Sequence, residues 1–188
     1  MTELYDLIKH SNKIEGVEGE EAIYQSLDAY NYLKTKMRDR EKLTHDILKG
    51  VHKRVMEERQ PEIAGKYKEK ENFVVTGMDR KFFTPPEKVE EKLDKLFEVV
   101  PETSLETLKW HINAINIHSF PDGNGRVFRL IYFWQAREQV GFEPLVFRAE
   151  DRIGYYNLVD TTEGLFVDPE VRYESRMDEI VELMEKFD

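Results

Sequence analysis

Residues 118–129 read HSFPDGNGRVFR, a stretch that sets a histidine, an aspartate, two glycines around an asparagine, and two arginines side by side. Asn124 is a favoured residue at a helix N-cap, so the spacing predicts a helix starting there. Arg126 and Arg129, three apart, then share one face near its first turn. A helix N-terminus already carries partial positive charge, and each cation placed on it costs about 0.3–1 kcal/mol. Local rules broken twice within four residues mark a functional site, and a bound anion resolves the conflict.

The neighbours fit an anion with several phosphates. Gly123, Asn124 and Gly125 allow successive backbone N–H groups to turn inward and cradle phosphate oxygens. Two guanidinium forks beside that cradle match phosphate geometry. Asp122 offers one hard oxygen, and one carboxylate plus phosphate oxygens and water is a usual way to hold Mg²⁺. His118 ends the preceding helix, and an imidazole is a fit general base near neutrality. The set implies binding of a Mg-nucleotide and transfer of part of it to a hydroxyl. Each piece has a plainer reading: a GNG turn, a turn-forming aspartate, a structural histidine, arginines paired elsewhere. The combination at this spacing is more specific than any part.

Helices must position these groups. Apolar residues recur near the 3.6 period over 20–38 (Ala22, Ile23, Leu27, Tyr30, Leu33) and 41–58 (Leu43, Ile47, Leu48, Val51, Val55). TPPE at 84–87 reads as a helix start, with Thr84 as N-cap and Glu87 in a capping box, running through Val89, Leu93, Leu96, Phe97 and Val100. TSLE at 103–106 is a second capping box and opens a helix toward His118. Another runs from Gly125 to Val140 with Gly141 as its stop, and a last one covers about 171–187. Between glycines 65 and 77, GKYKEKENFVVTG reads as a β-hairpin around a charged turn. The expected fold class is all-α: a mainly helical bundle with one β-hairpin, in a single domain over 1–188. Trp110 and Trp134 sit at helical spacing and read as core. His111 and His118, two turns apart at roughly 10 Å, are too distant to share a metal; His10, His45 and His52 show no convincing partners.

The composition narrows the function. Lys plus Arg total 28 against 38 Asp plus Glu, a net charge of −10, which disfavours nucleic-acid partners. With no cysteine, thiol nucleophiles, zinc-thiolate sites and disulfides are excluded. The N-terminal residues lack the pattern of a secretory signal, and no apolar run approaches the roughly 20 residues of a membrane span. A cytoplasmic protein without membrane partners is the expectation.

HSFPDGNGRVFR resembles the Fic-family motif HxFx(D/E)GNGRxxR, with His118, Phe120, Asp122, Gly123, Asn124, Gly125, Arg126 and Arg129 all in place. Ser119 stands where a proline is usual. The 65–77 hairpin is similar to the family's flap, TPPEKVEEKL to the helix after it, and GYYNLV at 154–159 to a late helix. The resemblance implies a helical Fic fold and transfer of AMP from ATP, with Mg²⁺, to a Tyr, Ser or Thr hydroxyl of a protein substrate, itself included. His118 would take the hydroxyl proton and Asp122 hold Mg²⁺. Gly123, Asn124 and Gly125 would form an anion hole, with Asn124 contacting phosphate, and Arg126 and Arg129 would hold the outer phosphates. Phe120 would anchor the loop. The flap would pin the target by strand pairing, with Tyr67, Phe73, Val74 and Val75 as candidate contacts.

SNKIEG at 11–16 reads alone as the end of an amphipathic helix stopped by Gly16, with Ser11 and Glu15 on one face. Beside the motif it resembles the family's inhibitory segment (S/T)xxxE(G/N), here within 1–17. Glu15 would then pair with Arg129 in the place of the γ-phosphate. Other readings stay open: a donor carrying UMP, phosphocholine or phosphate, removal of AMP with Glu15 helping to place a water, or a nucleotide-sensing module without catalysis. Monomer and homodimer are both compatible with the sequence.

Overall fold

The computed structural model describes residues 2–37, 42–76 and 79–162. Its helices are α1 (Thr2–Ile14), α2 (Glu20–Lys36), α3 (His45–Met56), α4 (Val89–Phe97), α5 (Ser104–Ile117), α6 (Asn124–Trp134) and α7 (Arg152–Thr162). One antiparallel hairpin, β1 (Phe73–Thr76) and β2 (Asp79–Phe82), interrupts them. The architecture is the expected mainly helical bundle. The helix expected over 171–187 lies outside the described residues.

Helix α6 is the axis. Its sequence NGRVFRLIYFW is apolar on every side apart from the two arginines, and all of its residues except Gly125 are buried. A helix apolar all round must be surrounded, and α1, α2, α3 and α5 pack against it. After Trp134 the chain widens into a π-helical turn, Gln135–Val140, rather than continuing as α-helix. Gly141, at φ 88°, closes it by donating to Ala136 O. Trp110 and Trp134 are core residues, 2% and 3% exposed.

Helix starts follow their caps. Thr44 Oγ1 accepts from Ile47 N at 3.3 Å, so α3 begins at His45 rather than at 41. Thr103 Oγ1 accepts from Glu106 N at 3.2 Å, as its capping box predicts, while the Glu106 carboxylate reaches Glu102 N. Thr84 does not cap. The prolines form a single 3-10 turn, Pro86–Lys88, and α4 starts only at Val89, leaving Thr84 Oγ1 buried with no partner among the described residues. Asn124 is not an N-cap either; Gly123, at φ 76° and ψ 2°, occupies that position.

The hairpin lies further along the chain than 65–77. Phe73 pairs with Phe82 and Thr76 with Asp79, so the expected second strand is the first. Tyr67 and Lys68 are drawn inward instead: Lys68 N donates to Ser119 O at 3.0 Å, and the Tyr67 hydroxyl meets His45 Nδ1 at 2.6 Å. Once Tyr67 and Lys68 are committed to the helical body, they cannot serve as a free strand. Helix α1 is anchored by Leu7, Ile8 and Ile14 in the core. Its end is a Schellman-type stop in which Val17 N donates to Asn12 O at 3.0 Å across Gly16 at φ 65°.

The two threonines should separate in a denaturation experiment. Thr103→Ala should lose about 1 kcal/mol, as for other lost caps. Thr84→Val should be neutral or stabilising, because it removes a buried unpaired hydroxyl. Equal losses in urea titrations would refute this assignment of caps.

Candidate active site

The loop between α5 and α6 is held by side chains from α6, from α3 and from the foot of the hairpin. Helix α5 ends at His118, which adopts left-handed backbone at φ 52° and ψ 59° and is the one positive-φ non-glycine among the described residues. Asn124 then staples the loop: its Oδ1 accepts from Phe120 N at 2.9 Å and its Nδ2 donates to Phe120 O at 2.8 Å. Asn72, at the foot of the hairpin, donates to the same carbonyl at 3.1 Å and accepts from Lys68 Nζ. The Phe120 ring, fully buried, stacks on His52 with centroids 3.8 Å apart and planes 1° from parallel.

His52 does more than stack. Its Nδ1 accepts from Gly65 N at 2.9 Å, which leaves the proton on Nε2 to donate to Asp122 O at 3.1 Å. Burial pushes its pKa down to about 4, so it stays the neutral tautomer this arrangement needs. Beneath the turn, a Cβ at Gly123 would come 2.7 Å from Met56 Sδ, so both the positive φ and the close approach require glycine.

The two arginines are buried, 3% exposed for Arg126 and 0% for Arg129. Arg126 has little to hold it. Nη2 faces Met56 Sδ at 2.9 Å, and Nε has no partner among the described residues. Burial lowers its pKa, with Asp122 and Glu15 countering. Arg129 is held by α1. Nε donates to Ser11 Oγ at 2.8 Å, and Nη2 donates to Ser11 O at 2.9 Å and to Glu15 Oε1 at 2.7 Å. Burial opposes its charge, yet Tyr155 and Glu15 outweigh burial and its pKa is raised. Gly125 makes room for this pair, since a Cβ there would collide with Glu15 Oε1.

On the far side, a chain of hydrogen bonds with fixed polarity runs back into α6. Phe128 O can only accept, so His111 Nδ1, 3.1 Å away, must carry the proton. His111 Nε2 must then accept from the Tyr155 hydroxyl at 3.1 Å, and the Tyr155 ring lies 5.2 Å from the Arg129 guanidinium carbon. Burial first, and Arg129 second, lower the His111 pKa to about 3; burial raises Tyr155 to about 12.

The structure thus gathers His118, Asp122, Gly123, Asn124, Gly125, Arg126, Arg129, Ser11 and Glu15 at one end of α6. The His118 ring stacks on Phe83, just past β2, at 3.9 Å and 13°. Asp122 is exposed; its Oδ2 accepts from Gln60 Nε2 at 2.9 Å and its Oδ1 from Gly123 N at 2.6 Å. Phe73 and Val74 are exposed on the hairpin, and Val75 pairs with Arg80. Tyr67 is not a hairpin contact: it is packed against Phe120 with ring centroids 5.3 Å apart. His45 and His52 have defined partners after all, as does His10, which faces Ala149 N at 3.4 Å.

The model of the Fic/DOC family matches residues 42–136, half of the 188 residues. This chain belongs to the Fic/DOC family. Among solved Fic structures, a Fic domain containing signaling protein from Bacteroides thetaiotaomicron superposes with a TM-score of 0.79 at 18% identity, covering 98% of this chain and 81% of that one. Fic-1 from C. elegans superposes with a TM-score of 0.67 at 21% identity, over 97% of this chain and 62% of that one. In sequence, the protein adenylyltransferase Fic of Nematostella vectensis is 29% identical over 147 residues, covering 74% of this chain and 33% of its own length. The protein adenylyltransferase fic-1 of Caenorhabditis elegans is 26% identical over 151 residues, covering 76% of this chain and 28% of its own. The chain therefore spans about a third of the length of these curated relatives.

Asn72, His52, His111 and Tyr155 were not singled out as site residues from the sequence. Asn72, His52 and His111 bond motif residues at least 17 positions away, and Tyr155 joins them through His111, 44 positions away, so no local pattern exposes them.

Two measurements test this description. Asn124→Ala strands the Phe120 N–H and leaves its carbonyl with Asn72 alone; with about 1–3 kcal/mol for a buried group left unpaired, it should lose about 2 kcal/mol or more in urea titrations. The second concerns pH. His111 has a depressed pKa in the folded state, so between about 6.5 and 3 the unfolded chain binds the extra proton and stability falls with falling pH. His111→Gln should be less stable at pH 7 yet lose less between pH 6.5 and 4; a slope as steep as wild type would contradict the neutral buried imidazole.

Proposed function

We propose that this Fic domain transfers AMP from Mg-ATP to a hydroxyl side chain of a protein, and that Glu15 restrains the reaction. The observation that carries the reading is the pair of buried guanidiniums at the glycine-lined N-terminus of α6, one facing only a thioether on its Nη2 and the other a carboxylate. Buried cations at the positive end of a helix await an anion. The relatives named protein adenylyltransferases add to it.

Each residue then has a task. Arg126 and Arg129 bind the outer phosphates of ATP through their forks. The backbone N–H groups of Gly123, Asn124 and Gly125 stabilise charge as it develops on the α-phosphate. Asn124 contributes its amide, not its side chain, which is engaged with Phe120. His118, at the loop's start, takes the proton from the acceptor hydroxyl as its oxygen bonds to the α-phosphorus and pyrophosphate leaves. Among the described residues no cluster of three or more acidic, histidine or cysteine side chains forms a metal cage. Asp122 alone, exposed beside the phosphate end, fits Mg²⁺ that completes its shell with phosphate oxygens and water. That ion would neutralise phosphate charge. The exposed β1–β2 hairpin, with Phe73 and Val74, offers the target a strand to pair with.

Glu15 occupies one of the donors that the γ-phosphate needs and repels that phosphate by charge. ATP then binds weakly or with its α-phosphate out of line with His118.

The test is a transfer assay with α-labelled ATP and Mg²⁺, using self-modification and lysate proteins as acceptors. Glu15→Gly should exceed wild type by about tenfold or more. Adding His118→Ala should remove about 100-fold or more of that gain, within the usual range for a general base. A Glu15→Gly protein no faster than wild type would sink the inhibitory assignment. Absence of α-label in every variant would turn the reading toward another donor, or toward removal of AMP.

A further inference from the structure

The guanidinium of Arg129 is divided between two tasks. One edge of the plane, Nε–H with one Nη2–H, is taken by Ser11 through its hydroxyl and its carbonyl, at 2.8 and 2.9 Å. The other end carries the remaining Nη2–H, on Glu15 at 2.7 Å, and Nη1, buried with no partner among the described residues. Removing Glu15 frees the end that would meet a phosphate. It leaves the Ser11 edge as it was.

Ser11 also stays put. It is 2% exposed, one turn before the end of α1, and its neighbour Asn12 ties α1 to α2. Asn12 Nδ2 donates to Ala22 O at 3.1 Å, and Asn12 Oδ1 accepts from Ser26 Oγ at 3.3 Å. Leu7, Ile8 and Ile14 of the same helix are core residues. Glu15 lies just past the helix end, with 31% of its side chain exposed. The carboxylate has somewhere to go; the serine does not.

We propose that Ser11 is a positioning residue for ATP, and that α1 is a permanent wall of the phosphate site rather than a removable lid. This rests on the proposed function. Ser11 fixes the plane of Arg129 so that its free end is aimed before the nucleotide arrives, and relief of inhibition requires only the Glu15 side chain to swing outward. Ser11 and Glu15, on the same short segment, therefore act with opposite sign on ATP binding. A planar fork oriented in advance binds more tightly than one that must be ordered on binding.

Calorimetric titration of the intact chain separates these effects. The proteins are wild type, Glu15→Gly, Glu15→Gly with Ser11→Ala, and Glu15→Gly with Ser11→Thr, each titrated with Mg-ATP and with AMP. AMP carries no outer phosphates and should not sense Arg129. Glu15→Gly should bind ATP more tightly than wild type. Adding Ser11→Ala should weaken ATP about tenfold, the scale of one hydrogen bond to a charged group, and change AMP by less than about twofold. Ser11→Thr, which keeps the hydroxyl, should restore ATP binding. Full ATP affinity in the Ser11→Ala double variant would overturn the inference while leaving the proposed function intact. An equal loss for AMP would reduce Ser11 to a structural role and overturn it too. No gain of ATP affinity in Glu15→Gly would overturn the inhibitory reading, and this inference with it.

Discussion

A cation with no solvent exposure sits inside the N-terminal half of α6, and much of the molecule is arranged to tolerate it. Arg129 keeps its charge because acceptors reach it from Ser11 of α1 and from Glu15 just past its end, while the Tyr155 ring of α7 lies 5.2 Å from the guanidinium carbon. Without them, burying a guanidinium would be prohibitively unfavourable. Two helices far apart in sequence are thus tied to one side chain.

The same logic of enforced polarity recurs around the loop. A backbone carbonyl that can only accept sets the tautomer of His111, which sets the direction of the Tyr155 hydroxyl. On the other flank, Gly65 N–H sets the tautomer of His52, which then holds the Asp122 backbone. Two imidazoles kept neutral by burial serve as directional connectors, while His118 stands half-exposed at the chain reversal. In the proposed transfer, rigid support behind His118 is what precise positioning of a substrate asks for.

Much of this was legible in the residues themselves, where the determinants are local. The period of α2 and α3, the Thr103 cap and the motif from His118 to Arg129 lie within a few positions of one another. What was not legible depends on partners distant in the chain. Thr84 and Thr103 both look like caps, but the prolines after Thr84 impose a 3-10 turn that puts the helix start beyond its reach. Asn124 looks like a cap as well, yet Phe120 offers both backbone groups to its side chain and Gly123 takes the cap position. Tyr67 and Lys68 have strand-like neighbours, but His45 and Ser119 claim them, and the hairpin forms further along. His52 and Tyr155 could be assigned only with α6 and its loop already in place.

Ser11 and Arg129 stand 118 positions apart, with the restraint upstream of the helix it restrains. Order along a chain is also order in time, since a ribosome delivers the N-terminal end first at roughly 5–20 residues per second. Segment 11–15 therefore emerges several seconds or more before Arg129 exists to be bound. If Glu15 restrains the site as proposed, no nascent chain ever presents the assembled phosphate pocket without its carboxylate nearby. The same segment placed after α6 would leave an unguarded interval during every round of synthesis.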